Sequence, residues 1–89
     1  DVNLDNLLSA LAKKEFTTVK NWVVQHMDND PSSVMRKIYD SLYGVLKPPS
    51  IPEAVLIMAK YMKDITLVPD QEINMLACLT EIMMSCEFR

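Results

Sequence analysis

The residues able to take part in chemistry are few in this 89-residue chain: one histidine, His26, two cysteines, Cys78 and Cys86, and a scatter of carboxylates of which Asp28 and Asp30 are a close pair. A metal site needs several imidazole, thiolate or carboxylate ligands converging, and His26 has no cysteine or second histidine near it in sequence. Nucleophilic catalysis needs a serine, cysteine or threonine beside a base, yet both cysteines fall in an apolar segment with no cationic neighbour to hold a thiolate. Asp28 and Asp30 stand at the entrance of a predicted helix, where capping of free amides accounts for them. A phosphate-cradling loop draws on glycines around Lys-Ser or Lys-Thr, and the only glycine is Gly44. The expectation is a chain that is not itself an enzyme and holds neither cofactor nor metal.

Cys78 and Cys86 are eight positions apart on one predicted helix, which separates their α-carbons by ~12 Å at 1.5 Å per residue. A disulfide needs about 7 Å or less, so two reduced thiols acting as small core residues are expected. With 49% hydrophobic and 24% charged residues the chain fits one globular domain. The scarcity of glycine favours helices over strand-rich folds, which use it in tight turns. A net charge of −3 and a pI near 4.9 argue against a surface built to neutralise phosphates. No run approaches the ~18 apolar residues of a membrane span, and the start lacks the form of a signal peptide. A cytoplasmic location is expected. The absence of an initiator methionine before Asp1 suggests a piece of a longer protein.

Five helices must position whatever the chain presents. Asn3 can cap a first helix to about Lys14, in which Leu4, Leu7, Leu8 and Leu11 recur at the spacing of one buried face. A second, from about Thr17 to Met27, carries Val19, Val23 and Met27 on one side, with Phe16 stapling its start and Trp22 as a core or rim anchor. Asp30-Pro31 opens a third helix, because the aspartate caps and the proline suits a first position whose amide has no partner. Val34, Ile38, Leu42 and Val45 form its inner face, widened by Met35 and Tyr39, and Gly44 with Lys47-Pro48-Pro49 closes it. Ser50-Ile51-Pro52-Glu53 fits a capping box for a fourth helix to about Lys63. In the connection that follows, Ile65, Leu67 and Val68 are expected to tuck against the bundle.

The last stretch, Pro69 to Arg89, is read as a helix with two apolar stripes. Ile73, Leu76, Ala77, Met83 and Met84 form one, and Met75, Leu79, Ile82 and Cys86 the other; Asn74, Glu81 and Ser85 leave only a narrow polar line. A helix on the surface of a small domain usually shows a single stripe, so this one must be covered from several sides. Ile73, Leu76, Ala77 and Met83 are assigned to the domain's own core. Met75, Leu79, Ile82 and Cys86 are the candidate subunit interface. Three of the seven methionines, Met75, Met83 and Met84, lie here, and their flexible thioethers suit a surface that repacks against a partner.

Taken in order, Phe16-Thr17-Thr18-Val19 with Trp22-Val23, Ile38-Tyr39 with Leu42-Tyr43, Ser50-Ile51-Pro52-Glu53-Ala54-Val55, and Glu72-Ile73-Asn74-Met75-Leu76-Ala77 with Cys86-Glu87-Phe88 make up a pattern. It resembles the C-terminal collar domain of clamp-loader small subunits of the replication factor C type, most closely the version in T-even-type phages. The resemblance covers nearly the whole chain, rests on helix faces rather than catalytic motifs, and does not extend to the first few residues. It implies an all-helical oligomerisation domain with its last helix packed centrally, joining ATPase subunits into a ring that loads a sliding clamp onto primed DNA. The nucleotide-binding motifs of that family match no position here and would belong to a preceding region. Other clamp-loader subunits are the implied partners, without direct contact to nucleic acid or membrane, in the bacterial cytoplasm if the gene is a phage's.

Two rival readings belong to other classes. A helical adaptor would dock a partner's amphipathic helix on Met-rich apolar surface and stay monomeric until it arrives. A small helical DNA-binding domain would need a basic recognition helix, and the Thr17–Met27 segment offers only Lys20, with Asp28 just beyond it.

Overall fold

Asp30 and Asp70 each turn a carboxylate oxygen onto the amide three residues ahead, accepting from Ser33 N–H and Ile73 N–H, both at 3.1 Å. Each thereby satisfies one of the amides that a helix start leaves without a partner. The computed structural model describes residues 3–89, and among these it contains five α-helices: α1 (Asp5–Lys13), α2 (Phe16–Gln25), α3 (Pro31–Val45), α4 (Ile51–Met62) and α5 (Gln71–Ser85). The fold is an all-α bundle in which α5 packs mainly against α4 and α2 and less closely against α1 and α3. Apolar residues spread over several sides of α5 let it meet several neighbours at once.

The entry to α1 is held by Asn3 and Trp22. Asn3 Oδ1 accepts the amide of Asp5 at 2.9 Å, and the Asn3 carbonyl accepts Trp22 Nε1–H at 3.1 Å, fastening α2 to the entry of α1. Leu7, Ala10 and Leu11 are buried on the inner face of α1, while Leu4 and Leu8 pack at its margin. Lys14 ends α1 in the left-handed region, φ 59°, with its amide reaching back to the carbonyls of Ala10 and Leu11. That conformation is the one glycine favours, yet Gly44 lies inside α3 in ordinary right-handed geometry. Helix α3 is stopped instead by Leu46, which turns extended ahead of Lys47 and the two prolines.

Phe16 does not staple the start of α2 into the core; it is the first residue of that helix and is 45% exposed. Ser50 does not form a capping box with Glu53. It sits at the end of a single 3-10 turn, Pro48–Ser50, in helical backbone geometry, and its hydroxyl accepts the amide of Glu87 at 2.8 Å instead. A side chain engaged 37 residues away is not free to cap its own helix. Of the connection after α4, Ile65 is buried but Leu67 is 77% exposed.

Helix α5 stops at Ser85 rather than continuing to Arg89. Cys86 turns extended, and the last residues run antiparallel to the end of α3: Lys47 N–H donates to Glu87 O and Arg89 N–H to Val45 O, both at 2.9 Å, with Leu46 opposite Phe88. Arg89 Nε also donates to the Leu46 carbonyl at 3.0 Å. The clasp holds the C-terminal end of α5, and the Asp70 cap holds its start.

Candidate interaction surface

One side of α5 builds the core. Met75, Cys78, Leu79, Ile82, Met83 and, just past its end, Cys86 are all buried among the helices around it, Leu79 and Ile82 completely. The four residues assigned from sequence to a subunit interface, Met75, Leu79, Ile82 and Cys86, are therefore core residues of the folded chain. On the opposite side Ile73 is 66% and Met84 69% exposed, and Leu76, Ala77 and Thr80 are half-buried between them. The stripe read as the interface is therefore the buried one; of the four residues read as core, Met83 is buried and Leu76 packs against the core in part, whereas Ile73 is exposed and Ala77 half-buried.

The physical reason lies in which stripe can be made continuous and dry. Residues 75, 78, 79, 82 and 86 follow the spacing i, i+3, i+4, i+7, i+11 without a polar interruption, once Cys78 is counted with them. The stripe 73, 77, 80, 84 contains a small residue and the hydroxyl of Thr80, so it fills space poorly and is the less costly one to leave in water. Thr80 and Cys78 are the available signals, and the stripes as read from sequence contain neither.

The outer stripe is a ridge with a groove on each side. The first groove, about 420 Å³, lies between α5 and the start of α2 and is lined by Phe16, Ile73, Leu76, Ala77, Thr80 and Glu81. The second, about 390 Å³, lies towards the α4–α5 connection and is lined by Val68, Pro69, Asp70, Ile73, Asn74 and Ala77. Ile73 and Ala77 belong to both. Phe16 and Val68 are thus brought to the same surface from distant parts of the chain, a placement no local pattern announces.

The polar line of α5 faces α4. Lys60 Nζ donates to both oxygens of Glu81 at 2.7 and 2.8 Å, Tyr61 OH donates to the same carboxylate at 2.8 Å, and Asn74 Nδ2 reaches the Tyr61 carbonyl at 3.4 Å. The hydrogen bond from Lys60, with that from Tyr61 behind it, holds the Glu81 carboxyl below its usual range. Burial and the bond to Glu81 push the Tyr61 phenol up. These groups close the seam between the two helices.

The chemically capable side chains have structural duties. His26 Nδ1–H donates to the Trp22 carbonyl at 2.7 Å, and its ring stacks on the indole with centroids 4.0 Å apart. Both cysteines are free and buried; Cys78 Sγ is 3.5 Å from Met58 Sδ, and burial pushes its thiol up to about 12. A thiol so placed stays protonated and is a weak nucleophile. Among the described residues no three His, Cys, Asp or Glu side chains are grouped so that they could hold a metal ion, and no helix is long and apolar enough to cross a membrane. No protein-family model and no curated protein matches the chain.

Proposed function

We propose that this chain is the collar domain of a clamp-loader small subunit in DNA replication, an oligomerisation module that holds ATPase subunits in a ring in the cytoplasm without touching nucleotide. The observation that carries the reading is the pair of opposed apolar stripes on α5: the inner one builds the core, and the outer one, from Ile73 to Met84, is left uncovered. Contiguous apolar surface of this kind is typical of protein contacts. The resemblance of the helix faces to the collar pattern supplies the identity of the partners, the neighbouring subunits of the loader.

Determining the coding sequence upstream of Asp1 tests this reading. A phosphate-binding loop and an acidic Walker B strand within the preceding domain are expected. An upstream region lacking both would overturn the collar assignment. It would leave as the better account a helical adaptor, whose amphipathic ligand would seat its apolar face in the grooves beside Ile73.

A further inference from the structure

Seven side chains of the protein end in a carboxamide. Four are engaged: Asn3 accepts the Asp5 amide, Asn29 donates to the His26 carbonyl, Gln71 to the Ile65 carbonyl and Asn74 to the Tyr61 carbonyl. The other three, Asn6, Asn21 and Gln25, form no side-chain hydrogen bond among the described residues, and all three line one cleft of about 300 Å³ between α1 and α2. Ser9, Thr18 and Glu15 complete its polar lining. Glu15 precedes α2 without capping it, is exposed, and has no ion-pair partner among the described residues, unlike Asp40, Glu81 and Glu87. Trp22 also lines the cleft, but it is only 5% exposed, its ring stacks on His26 and its Nε1–H is committed to the Asn3 carbonyl.

We infer that this cleft binds a short extended peptide segment carrying an arginine, its backbone paired with the carboxamides of Asn6, Asn21 and Gln25 and its guanidinium with the Glu15 carboxylate. A carboxamide sets a donor beside an acceptor, which matches the N–H and C=O of a peptide unit. Thr18, Asn21 and Gln25 stand at i, i+3 and i+7 on α2, a row ~10 Å long at 1.5 Å per residue. About three residues of extended chain, at ~3.3 Å each, cover the same length. Small-molecule sites are mostly apolar with a few placed polar groups, whereas this lining is polar throughout and calls for a ligand polar along its length. Glu15 is the one charged group in the lining, so an anion is repelled and a cation is drawn in, and the guanidinium fork suits a carboxylate best. A saccharide ring gains from laying its C–H face on an open aromatic ring, and Trp22 has no such face to offer. The cleft shares no residue with the grooves beside Ile73, so this inference goes beyond the collar reading and stands or falls separately from it.

The test titrates the isotope-labelled 89-residue chain with acetyl-Gly-Arg-Gly-amide to ~10 mM, above the ~1 mM dissociation constant that a few exposed hydrogen bonds sustain, and follows its amide NMR signals. Saturable shifts are expected in the side-chain amides of Asn6, Asn21 and Gln25 and in the backbone around Glu15. Glu15→Gln should weaken the arginine peptide about threefold, the scale of one exposed ion pair, and leave an all-glycine peptide unaffected. Asn21→Ala should weaken both peptides. Both positions are exposed, melting profiles check that the variants fold, and Asn21→Ser stands in for an Asn21→Ala that melts early. No saturable shift by the end of the titration overturns the inference, as do shifts confined to other parts of the chain. Maltotriose producing the same shifts at equal or lower concentration would make the cleft a sugar site and overturn it too. A Glu15→Gln variant that binds the arginine peptide as wild type does removes the guanidinium contact and with it the peptide's stated chemistry.

Discussion

Ser50 Oγ accepts the amide of Glu87 at 2.8 Å, joining the turn before α4 to the segment after α5 across 37 residues of sequence. Ser50 is the one buried polar residue among those described, and Cys86 Sγ lies 3.8 Å from its carbonyl. Ser50→Ala would leave the Glu87 amide without its acceptor, a loss of ~1–3 kcal/mol. Glu53→Ala, which a capping box would make comparably harmful, is expected to change stability by less than ~0.5 kcal/mol. Chemical denaturation of the two variants beside wild type checks the pair, and equal losses would restore the capping box.

Ser50 also shows where sequence reasoning loses its grip. The pattern Ser-x-x-Glu before a helix is a sound local signal, but a tertiary partner took the hydroxyl, and nothing within several residues announces Glu87. The third helix, by contrast, was legible to the residue, because Asp30, Pro31 and the closing prolines act through their own backbone. For the candidate surface, the two stripes of α5 were legible and their direction was not. Both are rich in large apolar residues, and the choice depended on Cys78 completing one and Thr80 interrupting the other.

The burial of the stripe read as the interface has a direct energetic consequence. Leu79→Ala is expected to cost ~2–5 kcal/mol, as large-to-small changes in filled cores do. Ile73→Ala on the opposite face should stay within about 0.5 kcal/mol of wild type. Thermal unfolding of both variants separates them, and a substantial loss for Ile73→Ala would place that residue in the core after all.

Gly44 lies in α3, and a Cβ built there meets nothing within 4 Å. Its φ is not positive, so alanine fits the same backbone. Gly44→Ala should therefore raise stability by ~0.5–1 kcal/mol, mainly by restricting the unfolded chain. An unchanged or lowered denaturation midpoint would count against the helical geometry assigned to this position.

Titration follows from the Lys60–Glu81 seam. Hydrogen bonding to Lys60, then to Tyr61, holds Glu81 below the usual carboxyl value of 4.5, so the unfolded state takes up its proton first. The resulting stabilisation is present above 4.5 and is lost as pH falls through the folded value. Lys60 is raised above 10.5 chiefly by its hydrogen bond to Glu81, so its contribution is complete below 10.5 and is lost as pH rises through the folded value. Glu81→Gln should lower the melting temperature near neutral pH and flatten its fall below 4.5. A variant that loses as much as wild type between about pH 6 and about pH 3 would remove Glu81 from the acid response.

The central claim is that α5 folds the chain with one face and assembles it with the other. Sedimentation of wild type and Ile73→Asp from ~1 μM to ~1 mM, the range in which dissociation constants correspond to about −8 to −4 kcal/mol, tests it most directly. The expected mass grows with concentration for wild type and stays at one chain for Ile73→Asp, whose melting temperature matches wild type. Identical sedimentation of the two proteins at every concentration would contradict it.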